Sequence, residues 1–248
     1  MNRISKIVAL VFMVSLSIGT ASAQFYLGAR GGLNMSNMSW NTASVENLSI
    51  MGFHGGVTSK YQFSKRLSVQ MDALASTMGN RQKLVNTTDG VSVTTETTTN
   101  IFYAQVPVYI NYEKPIMPDN LVPYRVKKSS MSFHLFAGGY FGYGLAASSG
   151  SKTTTVTDAG TEVTEVPSGT LLGASYNPID FGAMAGLGMS FKLDEDDTKR
   201  LGLDARYLLG FSDFDPTSEG SATNSAIQVS LMFTKKLTKR RYTNRHAW

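Results

Sequence analysis

Regular alternation of apolar residues with small or polar ones is the feature that most constrains this chain. In residues 226–233 the apolar positions are Ile227, Val229, Leu231 and Phe233, and the residues between them are Ala, Gln, Ser and Met. Side chains of a β-strand point alternately to the two faces of a sheet, so this pattern predicts a strand with one strongly apolar face. The same pattern predicts strands in eight segments: Phe25–Met35, Phe53–Phe63, Leu67–Thr77, Phe102–Tyr112, Phe133–Leu145, Ile179–Lys192, Leu201–Ser212 and Ala226–Phe233.

The length of these segments favours a membrane-spanning sheet. Seven of the eight have 11 residues or more, which is long for a strand of a soluble protein and suits a strand that crosses a bilayer at a tilt. After the first 23 residues no apolar run approaches the length that a membrane-spanning helix needs. The sequence therefore predicts an all-β fold, an eight-stranded antiparallel up-and-down transmembrane β-barrel.

The N-terminal residues 1–23 have the layout of a secretory signal peptide. Arg3 and Lys6 precede an apolar run of about a dozen residues, and Ala21 and Ala23 form a small-x-small cleavage site. We expect cleavage to leave Gln24 as the first residue of the exported protein, with the barrel in residues 24–234.

Most of the positive charge lies at the end of the chain. The formal net charge is +5, but residues 24–234 carry fewer basic than acidic residues. The last 14 residues, 235–248, hold six basic residues and no acidic one. We interpret them as a basic C-terminal tail. An exported protein with this charge distribution does not indicate a nucleic-acid partner.

Three residues of each charge fall on the polar face of the predicted strands. The interior of an eight-stranded barrel is just wide enough to be filled by side chains, so charges there must be paired. Lys60 and Asp72 would be diagonal neighbours across the turn at 64–66, within reach of each other. The predicted interior charges are Arg30, Lys60, Asp72, Asp180, Asp204 and Arg206.

Aromatic residues fall near both ends of the predicted apolar faces, as in the aromatic girdles of outer-membrane barrels. Near the ends joined by short turns they are Phe25, Phe63, Tyr112, Phe133, Phe191 and Phe233. Near the opposite ends they are Phe53, Phe102, Tyr143, Phe181 and Phe211.

The predicted connections mostly alternate between long and short, and the long ones are expected outside the cell. Two long connections contain the threonine-rich segments 86–100 and 152–166, which are expected to continue as hairpins beyond the membrane. The connection at 113–131 is long where a short one is expected. Pro107 lies inside a predicted strand, where we expect a bulge because proline cannot donate to the ladder.

The order of several short motifs resembles a known family. They are Gln24–Ser36 after the signal peptide, Gln105–Val108, Phe136–Tyr143, Asp180–Gly188 and Leu203–Tyr207. Together they resemble the small outer-membrane β-barrel domain proteins of Bacteroidetes, the PorT-like or "porin family" group. The resemblance implies an eight-stranded barrel in the outer membrane and no shared biochemical activity. The basic tail is a departure, since such barrels usually end at the last strand.

Nothing in the chain indicates catalysis, a cofactor or a metal. There is no cysteine, only three histidines, and no nucleophile-elbow, zinc-protease or phosphate-loop motif. His54 and His134 are predicted near opposite ends of the barrel, so we do not expect them to share a site.

Three functional interpretations remain. The favoured one is an outer-membrane barrel with a filled interior and a structural or interaction role through its extracellular loops. The others are a narrow porin for small solutes and a secreted, lipocalin-like carrier whose apolar face would be inside. The expected partners are outer-membrane lipid and lipopolysaccharide, the barrel-assembly machinery and an envelope protein.

Overall fold

A computed structural model describes residues 24–40, 46–88, 91–116, 131–157, 160–170, 177–194, 197–213 and 222–237. These residues form long antiparallel strands joined by turns. The strands are β1 (Gln24–Trp40), β2 (Glu46–Gln62), β3 (Leu67–Thr88), β4 (Val91–Pro115), β5 (Met131–Thr157), β6 (Gly160–Thr170), β7 (Ile179–Lys192), β8 (Lys199–Gly210) and β9 (Ala222–Leu237). In this described part no helix is long and apolar enough to cross a membrane.

Eight of the strands close into a ring. Each strand pairs with its neighbour in the order β1-β2-β3-β4-β5-β7-β8-β9, and β9 returns to pair with β1. Every pairing is antiparallel, and together they satisfy the backbone hydrogen bonds with no open edge in the ring. The predicted all-β, eight-stranded up-and-down architecture is confirmed. The remaining strand, β6, pairs with β5 and with no other described strand.

The two faces of the ring separate apolar from polar side chains. On the outer surface large apolar side chains are exposed, among them Leu33, Ile110 and Leu231 at 57–59%. The inner face is occupied by buried polar and aromatic side chains such as Gln228 and Tyr109. A lipocalin-like carrier requires the aliphatic face inside, so the structure rules out that interpretation. An apolar surface of this extent would be unfavourable in water and suits contact with lipid.

The strands continue past the ring at the end opposite the short turns. The distal parts of β2, β3, β4 and β5 pair in that order and β6 pairs with β5, giving an outer sheet of five strands. The threonine-rich segments do form hairpins, and they are almost entirely strand. About ten residues of β4 lie beyond the ring, which corresponds to roughly 30 Å of extended chain.

The structure differs from the sequence pattern in β4 and in β9. The sequence pattern predicts Glu113 in a connection, whereas in the structure it continues β4, which ends at Pro115. The β3–β4 register is the same on both sides of Pro107, so there is no bulge there, and the ladder simply lacks paired positions beside it. Strand β9 runs three residues past the predicted barrel end at Thr234, because Lys235 pairs with both Leu27 and Lys199.

The structure describes only one of the three residues at the predicted cleavage site. Ala21 and Ala23 lie outside the described residues, and Gln24 is the first residue of β1. The part of the basic tail from 238 to 248 also lies outside the described residues.

Candidate functional site

The middle of the barrel interior contains two arginines and two aspartates in one network. Asp72 Oδ2 lies 3.4 Å from Arg30 Nε and 3.2 Å from Arg206 Nη1. Arg30 Nη2 also binds the carboxylate of Asp204. All four side chains are buried, and their formal charges cancel. This arrangement satisfies the requirement that charges removed from water be paired.

Uncharged groups complete this central network. Thr58 Oγ1 donates to Asp72 Oδ1 at 2.6 Å. Tyr109 accepts a hydrogen bond from Arg30 Nη2 at 3.0 Å and donates to Asp72 Oδ2 at 3.2 Å. Arg206 Nε donates to Gln228 Oε1 at 2.7 Å. The network therefore ties β1, β2, β3, β4, β8 and β9 together across the barrel.

His134 of β5 also contacts the network, and the glycine opposite it leaves space for the contact. His134 Nε2 lies 2.6 Å from Asp204 Oδ1. Gly188 is the register partner of both residues, on β5 and on β8. A Cβ at Gly188 would lie 2.5 Å from both His134 Nε2 and Asp204 Oδ1. Glycine at 188 therefore leaves the space in which this pair meets.

A second ionic cluster lies at the end of the interior nearest the short turns. Glu113 accepts from Lys60 Nζ at 2.8 Å and from Arg200 Nη1 at 2.7 Å. Arg200 also binds Asp197 at 2.6 Å, and its guanidinium lies 5.2 Å from the centre of the Tyr26 ring. The expected contact between Lys60 and Asp72 is not formed, because Lys60 reaches past β3 and binds Glu113 on β4.

Asp180 lies near the opposite end of the ring and is held without a cationic partner in the described part. Ser212 Oγ donates to Asp180 Oδ1 at 2.6 Å and Asn224 Nδ2 to Oδ2 at 3.1 Å. The Tyr140 hydroxyl donates to the same carboxylate at 3.3 Å. Hydroxyl and amide donors thus replace the expected ion pair. Side chains packed around them include Tyr103, Met184 and Leu208.

All six predicted interior charges are buried inside the ring. Glu113, Arg200 and His134 belong to the same networks and were not among them. The alternation of inward and outward residues is sufficient to assign Glu113 and Arg200 to the interior. Glu113 continues the inward series of Tyr109 and Asn111, and Arg200 precedes Asp204 by an even number of residues.

The predicted girdle residues near the short turns are at least partly exposed. Phe25, Tyr112 and Phe233 are exposed, and Phe63, Phe133 and Phe191 are half-buried. They lie on the outer, apolar surface of the ring, near the end with the short turns.

His54 is also buried, and it makes contacts typical of a catalytic chain. His54 Nε2 lies 2.8 Å from Ser230 Oγ, and Nδ1 lies 2.5 Å from Asn34 Oδ1. Ser230 is only 1% exposed and faces the barrel interior. A nucleophile needs access to its substrate, so this chain of contacts supports packing of the interior rather than catalysis. Among the described residues no group of His, Cys, Asp and Glu is arranged to hold a metal ion.

The outer sheet carries a row of alternating charges on the face that continues the outer surface of the barrel. Five directly opposed residues alternate in sign across the strands. They are Glu46, Lys83, Glu96, Lys152 and Glu165. Opposite charges at facing positions stabilise a sheet.

One pair in this row is in direct contact. Lys152 Nζ donates to Glu165 Oε1 at 2.9 Å, and this hydrogen bond lowers the pKa of Glu165. A cavity of about 590 Å³ lies over this part of the sheet, lined by Arg81, Asn100, Pro167 and other residues of β3–β6. The outer sheet therefore has a polar surface that carries both positive and negative side chains.

Removing the carboxylate charge of Asp72 is predicted to destabilise the barrel strongly. Asp72→Asn leaves two buried arginines facing each other with one shared carboxylate missing, which typically costs about 3–5 kcal/mol. Glu165→Gln removes an exposed paired carboxylate and is the matched control, expected to leave the unfolding midpoint nearly unchanged. Urea unfolding of both variants in lipid vesicles, followed by the mobility of unheated samples, measures the difference. Equal midpoints for the two variants would contradict the assigned role of Asp72.

A family model described as "Outer membrane protein beta-barrel domain" matches residues 20–216 of the chain. No curated protein matches it. Among solved structures, Neisserial surface protein A is 12% identical, with a TM-score of 0.43, over 87% of this chain and 99% of that protein. OprG from Pseudomonas aeruginosa is also 12% identical, with a TM-score of 0.43, over 90% and 99%. Ail of Yersinia pestis is 10% identical, with a TM-score of 0.32, over 84% and 97%.

Proposed function

The chain belongs to the family of outer membrane protein β-barrel domains, and on that premise we propose a closed barrel with a structural or interaction role. The family implies a location in the outer membrane. In this proposal the eight-stranded ring anchors the protein, and the outer sheet built from β2–β6 makes its contacts outside the cell.

The filled interior is the observation that carries the proposal. The central network of Arg30, Asp72, Asp204 and Arg206 crosses the barrel at one level. Large buried side chains, among them Tyr140 and Met184, pack together inside the ring beside this network. Passage of a solute would require breaking buried ion pairs, which costs several kcal/mol. A barrel of this size lacks the aqueous lumen of barrels with 16 or more strands.

The outer sheet supplies the surface for interaction. Its strands carry exposed hydroxyl, amide and charged side chains on both faces, and β6 is exposed along residues 160–167. Elements that project from a rigid scaffold commonly carry the binding function of a protein. Partners proposed for this surface are lipopolysaccharide and an envelope protein.

Several finer features belong to the same proposal. The short motifs support membership of the PorT-like group of Bacteroidetes, and the layout of residues 1–23 supports cleavage after Ala23. Recognition by the barrel-assembly machinery follows from the location. The burial of Ser230 and His54 supports a non-enzymatic role.

We predict that the protein forms no stable open pore. In planar bilayers containing the refolded chain, current steps are expected to be absent, because the interior side chains leave no continuous water path. The matched control is the same preparation checked for insertion by its resistance to unfolding in unheated electrophoresis. A reproducible conductance from correctly inserted protein would favour the narrow porin instead.

The topology predicts which ends of the barrel face the medium. Thr161→Cys on exposed β6 is expected to react with a membrane-impermeant maleimide on intact cells. Ser64→Cys on the short turn between β2 and β3 is expected to react only after permeabilisation. The chain has no cysteine of its own, so the labelling reports these positions alone. The reverse labelling order would invert the proposed orientation and remove the basis for an external interaction surface.

A further inference from the structure

Five exposed cations surround the short-turn end of the barrel, one or two residues beyond the lipid-facing apolar surface. We name them the cationic belt. They are Lys65, Arg66, Lys114, Lys199 and Lys235. Lys114 follows the aromatic residue Tyr112 by two positions, and Lys235 follows Phe233 in the same way. Each lies about 7 Å along the strand from its ring and on the same face.

The belt extends over much of the circumference. Lys199 and Lys235 lie on the adjacent strands β8 and β9. Lys65 and Arg66 occupy the turn between β2 and β3, and Lys114 lies on β4 beside that turn. The backbone amide of Glu113 donates to Arg66 O at 2.8 Å, which holds Lys114 and Arg66 close together.

The nearby carboxylates that the structure describes form hydrogen bonds and ion pairs within their turn or inside the barrel, and Asp194 also attracts the Lys199 ammonium electrostatically. Asp194 accepts hydrogen bonds from the Thr198 hydroxyl and from the backbone amide of Lys199 at 2.9 Å. The hydrogen bond from Thr198 lowers the pKa of Asp194, which keeps this carboxylate charged within its turn. Asp197 binds Arg200, and Glu113 binds Lys60 and Arg200 inside the barrel. Within the described ranges, no ion pair joins a carboxylate to any of the five belt cations.

Two of the belt lysines directly oppose each other. Lys199 and Lys235 are register partners on β8 and β9, and both are exposed. Like charges at directly opposite positions destabilise a strand pair. An anion between the two ammonium groups would reverse this effect.

The outer sheet has the opposite arrangement. There each lysine of the charge row faces glutamates on the neighbouring strands, and Lys152 is in contact with Glu165. Protein carboxylates therefore compensate the lysines of the charge row, and at the short-turn end they compensate Lys192 and Arg200. The five belt cations form no such ion pair among the described residues and are left for an external partner.

We propose that the cationic belt binds the headgroup phosphates of anionic phospholipid in the leaflet that faces the short turns. The inference rests on the proposed function, because it requires the barrel to span a membrane. Lysine and arginine near a membrane surface attract anionic lipid, and aromatic side chains lie at the level of the headgroups. Cations one step beyond the rings are therefore level with the phosphates.

The test measures lipid selectivity at the barrel surface. The full exported chain is reconstituted in phosphatidylcholine vesicles, and the immobilised fraction of spin-labelled phosphatidylglycerol is compared with that of spin-labelled phosphatidylcholine. The wild type is expected to prefer phosphatidylglycerol at low salt and to lose the preference in 1 M salt, where charge is screened. Lys199→Gln with Lys235→Gln is expected to reduce the preference at least twofold, and by up to roughly fivefold for each lysine.

Two controls locate the lipid preference in the belt. Lys83→Gln with Lys152→Gln removes the same charge from the outer sheet and is expected to leave the preference unchanged. Truncation after Leu237 removes the four basic residues of 238–248 and keeps the belt, so the preference is expected to persist.

The outcomes distinguish this inference from the proposed function. Failure of the chain to insert in vesicles would contradict the membrane barrel itself. Insertion without a preference for phosphatidylglycerol would contradict lipid binding by the cationic belt. An equal loss of the preference in both lysine double variants would contradict it as well. Loss of the preference on truncation alone would assign lipid binding to the tail and overturn the belt as well. Retention of the chain on purified peptidoglycan through Lys199 and Lys235, without lipid selectivity, would identify a different partner and also overturn the proposal.

Discussion

The carboxylate of Asp72 is the contact on which the arrangement of the barrel interior depends. It lies between two guanidinium groups, Arg30 from β1 and Arg206 from β8, and it accepts hydrogen bonds from Thr58 and Tyr109. Since neither arginine can lose its proton, both must be neutralised where they lie. The same contacts join opposite walls of the ring and fill its centre.

The filled interior and the apolar exterior have one cause. In a ring of eight strands, alternate side chains must point inward, and the lumen holds little more than those side chains. Polar residues placed there pair with one another, so the apolar residues between them face outward. Such an exterior suits contact with lipid, and in the proposed function the filled interior leaves no path for solute. On that proposal the protein makes its contacts through the outer sheet and the cationic belt.

The period-two pattern is sufficient to predict the ring and the burial of the charges, because each inward position is fixed by counting along a strand. Pairing between side chains is not predictable in the same way. Lys60 is expected to meet Asp72 as a near neighbour on the adjacent strand, yet it binds Glu113 two strands away. Contacts between strands that are not adjacent depend on barrel shear, which one strand does not reveal.

The outer sheet is only partly predictable. Threonine and valine indicate hairpins in 86–100 and 152–166, but the alternation of charge from Glu46 to Glu165 exists only once the five strands are in register. The cationic belt is likewise recognisable only after the strands are paired. Lys199 and Lys235 are 36 positions apart in the chain and become opposed through the pairing of β8 with β9.

The central claim is that the apolar face contacts lipid and the polar face is enclosed. Because the chain has no cysteine, single cysteines at successive positions 227–233 of β9 can each carry a spin label in the reconstituted protein. Collision with oxygen, which partitions into lipid, is predicted to be high at Ile227, Val229 and Leu231 and low at Gln228 and Ser230. Collision with a water-soluble nickel chelate is predicted to be low at all five. High nickel accessibility at Gln228 and Ser230 would reveal a water-filled lumen and contradict the account.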